Sequence, residues 1–312
     1  MQGKQVGYVL IALIIIGILG IGIRVISTDS DEFNMSGLLP ITSDVIDRVT
    51  INSNNSDINV NLKKMNATSW MVGRNIVYPP KLESFWISVS NIKNAQLVAR
   101  KTKHHNKLGV SDNLGSSVTF YLGQSVQEQF IVGETWDSDV RLCYIRKSGK
   151  DNVYSIPCPQ SPEMTFATNP NLWRNPIIVS IPSEEVASLE FEFKNTANNF
   201  SILKNNTNDW LINNAEIADA RKVDSILEIF QQFYTSGFES SNINFDTPDA
   251  SIRINTIEGS NSVTTKIKFL LKDSESYYVQ VPSKPGIVFI VASELVDTYL
   301  LLNKDSLQIQ SN

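Results

Sequence analysis

An internal duplication is the feature that most restricts how this chain can fold. Residues 41–72 align without a gap with residues 181–212, at an offset of 140 residues. In this alignment Trp70 meets Trp210, and many of the surrounding apolar positions also match. Because similarity at a fixed spacing marks a structural unit that is used more than once, we expect two tandem repeats of one fold.

Each repeat has the pattern of a β-meander followed by one helix. Short runs in which apolar and polar residues alternate are typical of half-buried strands, and Asn-rich turns separate them. Apolar residues then recur at helical spacing, which predicts one amphipathic helix in each repeat. They are Leu82, Phe85, Trp86, Val89 and Ile92 in the first repeat, and Val223, Ile226, Leu227, Phe230 and Phe233 in the second. We interpret these residues as part of the core and not as a ligand site.

After each helix the alternating pattern resumes and predicts four more strands. The predicted strands are residues 118–122, 129–132, 142–146 and 153–156 in the first repeat, and 251–254, 266–271, 277–281 and 288–291 in the second. A short helix near residues 294–302 is expected to close the second repeat. Pro79 and Pro80 suit the start of the first helix, and Asp219 is a suitable N-cap for the second. The predicted fold class is α+β with antiparallel sheets.

The N-terminal segment is predicted to span a membrane. Residues 6–26 begin with 18 consecutive uncharged residues, which extend about 27 Å as a helix, close to the thickness of a bilayer core. A cleaved signal peptide is the alternative, but its apolar region is normally shorter and is followed by a small-residue cleavage site. Gly17, Gly20 and Gly22 would let another membrane helix approach closely.

The expected topology places the N-terminus inside the cell and both repeats outside. Lys and Arg residues on the two sides of the apolar segment are nearly balanced, so the short N-terminal tail and the long C-terminal part decide the orientation. The segments are a cytoplasmic tail (1–5), a transmembrane helix (6–26), a linker (27–40), a first repeat (41–175), a second repeat (176–303) and a tail (304–312). We therefore expect a single-pass protein of the cytoplasmic membrane with an extracytoplasmic folded part.

The composition argues against nucleic-acid binding and against most enzyme chemistry. The chain has 27 Lys and Arg residues against 32 Asp and Glu residues, whereas nucleic-acid binders usually carry a strongly basic face. It contains neither a nucleophile elbow nor a P-loop. His104 and His105 are adjacent, and neighbours on an extended segment point in opposite directions, which makes them a poor metal-binding pair. We expect no enzyme activity and no cofactor.

The two cysteines of the chain are candidates for a disulfide bond. Cys143 and Cys158 lie on the two strands of one predicted hairpin, with residues 147–152 as its loop. A disulfide is chemically allowed outside the cytoplasm, and two buried free thiols are the alternative.

A basic run stands out in this acidic chain. Arg100, Lys101, Lys103 and Lys107 lie close together after the first predicted helix. They could contact anionic lipid head groups or an anionic wall polymer. A solvated loop with no partner is the alternative interpretation.

The repeated pattern also resembles a known family. The motifs are the tryptophan-bearing strand, the helix start Ala218-Asp219-Ala220-Arg221-Lys222-Val223, and the strand elements Tyr144-Ile145-Arg146 and Tyr278-Val279-Gln280. Over about residues 40–300 the chain resembles an uncharacterised bacterial domain-of-unknown-function family that is membrane-anchored and often encoded beside gliding-motility-type (Gld) ABC transporters. The first repeat departs from the helix-start motif, with Tyr78-Pro79-Pro80 in its place. The resemblance implies an accessory role in the cell envelope and supplies no catalytic residues.

The sequence thus favours a non-catalytic, membrane-anchored subunit or scaffold of a cell-envelope complex, and the resemblance implies association with an ABC transporter. Its expected partners are the lipid bilayer, through residues 6–26, and another membrane protein. An extracytoplasmic module that binds a glycan or a peptide is the alternative. That alternative predicts exposed aromatic side chains in a cleft, with Trp136 and Tyr121 as candidates.

Overall fold

The computed structural model describes residues 41–53, 59–259 and 261–309. These residues form two units, of which unit 1 ends at Trp173 and unit 2 begins at Arg174. Each unit has its own apolar core.

The predicted membrane anchor lies outside the described residues. This applies to the helix over residues 6–26, to Gly17, Gly20 and Gly22 within it, and to the linker over residues 27–40. Among the residues that the structure describes, no helix is both long and apolar enough to cross a membrane.

Unit 1 is built on an antiparallel sheet of nine strands. Its elements are β1 (Arg48–Ser53), β2 (Asn59–Lys64), β3 (Trp70–Val72), β4 (Asn75–Ile76), α1 (Pro79–Ser90), β5 (Gln96–Ala99), β6 (Ser116–Leu122), β7 (Ser125–Asp137), β8 (Leu142–Lys147), β9 (Val153–Pro157) and α2 (Pro162–Thr165), with 3-10 turns at Asn91–Asn94, Thr102–His104 and Pro170–Trp173. The strand order is β4-β3-β2-β1-β6-β7-β8-β9-β5. The strand that follows α1 therefore returns to the far edge of the sheet, beside β9.

Unit 2 repeats this arrangement. Its elements are β10 (Ile177–Val179), β11 (Val186–Phe193), β12 (Phe200–Lys204), β13 (Trp210–Ile212), β14 (Glu216–Ile217), α3 (Ala220–Gln231), β15 (Phe233–Tyr234), β16 (Gly237–Glu239), β17 (Ala250–Glu258), β18 (Asn261–Asp273), β19 (Ser276–Gln280), β20 (Val288–Ala292), α4 (Ser293–Leu295) and a π-helical turn Val296–Leu300, with 3-10 turns at Ser183–Glu185, Thr196–Asn198 and Lys304–Leu307. The nine-stranded order is β14-β13-β12-β11-β17-β18-β19-β20-β16, which matches unit 1 strand for strand. Strands β10 and β15 form a separate pair.

The helix of each unit is held in the same way. In unit 1 the backbone N–H of Tyr78, just before α1, donates to the carbonyl of Trp173 at 2.8 Å. In unit 2 the N–H of Asp219, just before α3, donates to the carbonyl of Leu307 at 2.8 Å. Trp173 and Leu307 are both fully buried, so the last turn of each unit closes the core beneath its helix.

The prediction of antiparallel sheets with few helices is confirmed, and three local predictions are wrong. Ile92 and Phe233 were expected on the two helices but lie outside them, because α1 ends at Ser90 and α3 ends at Gln231. Ile92 is in a 3-10 turn, and Phe233 is on β15. The expected helix near residues 294–302 is one short turn followed by a π-helical turn. The outermost strands β5 and β16 were not predicted at all, and each adds a strand next to the last strand of its sheet.

Candidate functional site at a basic sheet edge

Strand β5 is the outermost strand of the sheet in unit 1. It pairs with β9 on one side, where Leu97 lies opposite Tyr154, and the register shifts at Val98. Among the described residues, no strand pairs with the other side of β5. Leu97 packs against the core of unit 1, whereas the side chain of Val98 is 45% exposed. Because an outermost strand presents unpaired backbone donors and acceptors, this side of β5 can accept another strand.

The basic run predicted from the sequence begins where β5 ends. The side chains of Arg100, Lys101, Lys103 and Lys107 are all exposed. No carboxylate in the described part of the chain forms an ion pair with Lys101, Lys103 or Lys107. We refer to β5 together with residues 100–108 as the basic edge.

A groove runs along the basic edge. Its volume is about 680 Å³, within the usual range of about 300–1,000 Å³ for ligand sites. It is lined by Leu97, Val98, Ala99, Arg100, Lys101, Lys103, His104, Lys107 and Leu108. The lining is thus apolar along the strand and cationic beyond its end.

His105 fixes the fold of the basic segment. Its side chain is buried, and its Nε2 lies 2.8 Å from the carbonyl oxygen of Asp151. A carbonyl oxygen only accepts, so Nε2 carries the proton. The sequence predicted an extended segment here, and that prediction is wrong. The segment forms a 3-10 turn, in which the N–H of His105 donates to the carbonyl of Thr102. His104 is half-buried in the groove, whereas His105 points into the unit.

A buried arginine holds the far end of the same segment. Arg146 on β8 donates from Nε to the carbonyl of Val110 at 2.9 Å and from Nη1 to the carbonyl of Lys150 at 3.1 Å. It also forms an ion pair with Asp112. Val110 itself packs in a small apolar cluster with strands β7 and β9. Because these contacts order the segment before any partner binds, a partner would not have to supply the free energy for ordering it.

Two glycines allow the segment to lie directly on the sheet. A Cβ atom added at Gly133 of β7 would stand 2.4 Å from the carbonyl oxygen of Leu108, which is closer than atoms can approach. Gly109 has a φ of +70°, a conformation that other residues rarely adopt. Neither position tolerates a side chain without moving the segment away from β7.

A disulfide stabilises β9, the strand that pairs with β5. Cys143 on β8 and Cys158, one residue after β9, are bonded to each other, and their Cα atoms lie 5.5 Å apart. The N–H of Cys158 donates to the carbonyl of Arg141 at 2.8 Å. The bond therefore joins β8 to the end of β9, the strand with which β5 pairs.

The two aromatic residues suggested for glycan binding do not form an exposed surface on which a sugar ring could stack. Trp136 is half-buried and packs against the core, and its Nε1 is buried with no hydrogen-bond partner among the described residues. Tyr121 is half-buried, and the guanidinium of Arg48 lies 3.9 Å above its ring. Neither residue lines the groove of the basic edge.

Two further cavities lie in unit 1. One, of about 510 Å³, is lined by Ser43, Ala67, Thr68, Trp70, Pro79, Leu82, Glu83, Trp86, Ile87 and Ser90. The other, of about 360 Å³, is lined by Ser53, Ser116, Val132, Gly133, Glu134, Pro162, Glu163, Phe166 and Thr168. Ser and Glu side chains line both cavities, and no His, Cys or Lys side chain is among their lining residues. Within the described residues, no group of three or more His, Cys, Asp or Glu side chains could hold a metal ion.

One buried lysine differs between the two units. Lys81 on α1 is 8% exposed, its Nζ has no hydrogen-bond partner among the described residues, and the ring of Trp173 lies 5.0 Å away. Burial lowers the pKa of Lys81 to about 8. The corresponding Lys222 on α3 instead donates from Nζ to the carbonyl of Ser306. Lys81 lines none of the three cavities, so we assign it to the core and not to a site.

Comparison with known families shows to which family the chain belongs. Residues 77–248, more than half of the chain, match the family described as Domain of unknown function (DUF4340). The chain belongs to this family. The DUF4340 match begins just before α1 and continues into unit 2, so it includes the whole basic edge. Neither the search of curated proteins nor the search of solved structures found a match.

The sequence identified the four cations of the site but not their setting. A local charge run can be read directly, whereas the position of β5 depends on pairing with β9, more than fifty residues later. The signal that could have located β5 is the short apolar stretch Leu97-Val98-Ala99 between the helix and the basic run.

Proposed function

We propose that this chain is a non-catalytic, membrane-anchored subunit or scaffold of a cell-envelope complex, with both units outside the cytoplasm. The observation that carries the proposal is the basic edge. Four exposed cations stand beside an open strand, in a segment that buried residues hold in place, although the chain has a formal net charge of −5. Three of these cations, Lys101, Lys103 and Lys107, form no ion pair with a described residue, which suits recognition of an anionic partner.

The membrane location rests on the N-terminal sequence. The uncharged run within residues 6–26 is long enough to cross a bilayer as a helix. The long folded part that follows this run is proposed to lie outside the cytoplasm, as expected from the sequence. In such a protein the bilayer is one partner and a second membrane protein is the other. The resemblance to proteins encoded beside Gld-type ABC transporters makes a transporter the first partner to test.

The absence of catalysis is part of the proposal. None of the residues that line the two further cavities is a His, Cys or Lys, and residues 96–108 of the basic edge contain no carboxylate. His105 of the basic edge is buried, and its Nε2 lies 2.8 Å from a backbone carbonyl oxygen. A scaffold needs a stable fold and a recognition surface, and both are consistent with these features.

Affinity purification from native membranes tests this proposal. The tagged full-length chain is extracted in mild detergent after chemical crosslinking, and the recovered proteins are identified and quantified by mass spectrometry. We expect a membrane protein at a fixed ratio to the tagged chain. Recovery of the chain alone, under conditions in which other membrane complexes survive, would contradict the proposal and favour the glycan- or peptide-binding module.

A further inference from the structure

We infer that the basic edge is a docking site for an extended, acidic polypeptide segment of the partner, which adds to the sheet of unit 1 as a further strand beside β5. This inference rests on the proposed function and specifies how the partner is recognised. It follows from three properties of the site, which are its open backbone, its apolar strip and its three lysines, Lys101, Lys103 and Lys107, that form no ion pair with a described residue.

The open backbone selects an extended polypeptide. Strand addition uses main-chain hydrogen bonds for affinity and side-chain pockets for specificity. Edge strands that must stay unpaired usually carry charged residues or proline within the strand. Strand β5 consists of Gln96, Leu97, Val98 and Ala99, and therefore carries neither. Its charges begin at Arg100, beyond its last residue, where they border the groove and leave the strand accessible.

The apolar strip favours a polypeptide over a lipid surface or a polyphosphate. Leu97, Val98, Ala99 and Leu108 line the groove together with the cations. Val98 is 45% exposed, so contact with an apolar side chain would remove apolar surface from water. A head group or a phosphate chain lacks the alternating donors and acceptors that would pair with both the N–H and the carbonyl groups of β5.

The charge selects acidic side chains. Between Glu83 and Asp112 the chain contains no Asp or Glu, and residues 100–107 contain four Lys and Arg residues. These charges repel one another and lie on a chain that is acidic overall, so an acidic segment would be steered to them and would relieve the repulsion. The expected occupant thus has apolar residues that alternate with Asp or Glu, followed by further acidic residues beside Lys103 and Lys107.

Binding of matched peptides to the full-length chain in detergent tests the inference. The probe is a fluorescein-labelled peptide of eight residues in which valine and glutamate alternate. One control replaces glutamate with lysine. A second control is the depsipeptide, in which esters replace the amides, so that the charge and side chains are kept while the backbone N–H donors are lost. We expect the acidic amide peptide to bind, and both controls to bind at least about tenfold more weakly.

Protein variants locate the site. Lys101→Glu with Lys103→Glu is expected to weaken binding of the acidic peptide by at least about tenfold. Lys63→Glu with Arg74→Glu makes the same change in net charge at two exposed positions near the opposite edge of the sheet, and we expect a change of less than about twofold. Circular dichroism of both variants checks that the fold is intact.

Several results would overturn the inference. They are the absence of binding up to about 1 mM peptide, equal binding of the amide and the depsipeptide, and equal effects of the two pairs of substitutions. Binding to phosphatidylglycerol vesicles that Lys101→Glu with Lys103→Glu abolishes, without peptide binding, would assign the site to a lipid surface instead. If the membrane complex is recovered with these substitutions in place, the proposed function stands and only the docking inference fails.

Discussion

Strands β5 and β16 occupy the same place in two sheets of identical strand order, but their surroundings are opposite in character. Beyond β5 the chain continues into four cations and an open groove. The final residue of β16, Glu239, accepts hydrogen bonds from the N–H groups of Ser240 and Ser241 at 2.7 and 2.8 Å. Phe238 of β16 lies beneath the guanidinium of Arg174, at 3.8 Å. The edge strand of unit 2 thus ends in a carboxylate that the following turn binds, whereas the edge strand of unit 1 runs into exposed cations.

The comparison indicates that the duplicated fold and the recognition surface are separable. The elements that both units share are the tryptophan-bearing strand, the main helix and the closing turn, and these form the cores. The features that differ are the segment after the edge strand, the disulfide, and the environment of one lysine. The following predictions test first what is shared and then what differs.

The largest effect is expected from removing the shared tryptophan. Trp70 is 1% exposed and Trp210 is 5% exposed, so Trp70→Ala and Trp210→Ala should each lower the free energy of unfolding of their own unit by about 3–5 kcal/mol. Differential scanning calorimetry of the full-length chain measures both transitions, and Trp→Phe at each position is the milder control. If one substitution costs much less than the other, the two cores are not equivalent.

The disulfide should stabilise unit 1 alone. Cys143 and Cys158 are separated by 15 residues, and a loop of this size corresponds to about 3 kcal/mol in the chain-entropy account. Reduction should therefore lower the melting temperature of unit 1. It should leave the melting temperature of unit 2 unchanged, because both cysteines of the chain lie in unit 1. The variant Cys143→Ala with Cys158→Ala should not respond to reductant. A shift of the unit 2 transition would contradict this account.

Substitution of the corresponding lysines on the two helices, Lys81 and Lys222, should change the free energy of unfolding in opposite directions. At pH 7, Lys81→Met removes a buried charge without a hydrogen-bond partner, and the loss of its contact with Trp173 offsets part of the gain, so we expect stabilisation by about 1–3 kcal/mol. Lys222→Met removes the hydrogen bond to Ser306 and should destabilise unit 2 by about 1 kcal/mol. Denaturant unfolding of both variants measures the two changes. Changes of the same sign would show that the two environments do not differ as described.

Lys81 also predicts a pH dependence. Burial lowers its pKa in the folded state from 10.5 to about 8, so between these values the unfolded state binds more protons. The stability of unit 1 should therefore rise as the pH increases from about 8 to 10.5, and the penalty is fully present below about pH 8. The part of the slope of unfolding free energy against pH that comes from Lys81 should disappear in Lys81→Met. A wild-type slope that persists in this variant would assign the effect to other groups.

The sequence predicted those parts of the fold that depend on local pattern. Strand β3 with Trp70, helix α1 and its proline start follow from residues that are close together in the chain. Strands β5 and β16 were missed because they have four and three residues, too few for a periodic pattern, and their pairing depends on distant strands. Phe233 fitted the helical spacing of α3, yet the chain leaves the helix at Gln232 to pair with β10.

The same distinction applies to the site. The cations of residues 100–107 were visible as a local run. Their position beside an open strand, and the anchoring of the run by His105 and Arg146, depend on contacts with residues 36 to 46 positions away. A charge run alone therefore could not distinguish a solvated loop from an ordered recognition surface.

Hydrogen–deuterium exchange of the chain, purified alone and within its native membrane complex, tests the central claim most directly. The account predicts slower exchange of the backbone amides of residues 96–108 in the complex, because a partner strand would pair with β5, and unchanged exchange of residues 237–246. Unchanged exchange at residues 96–108, or equal protection of both sheet edges, would contradict it.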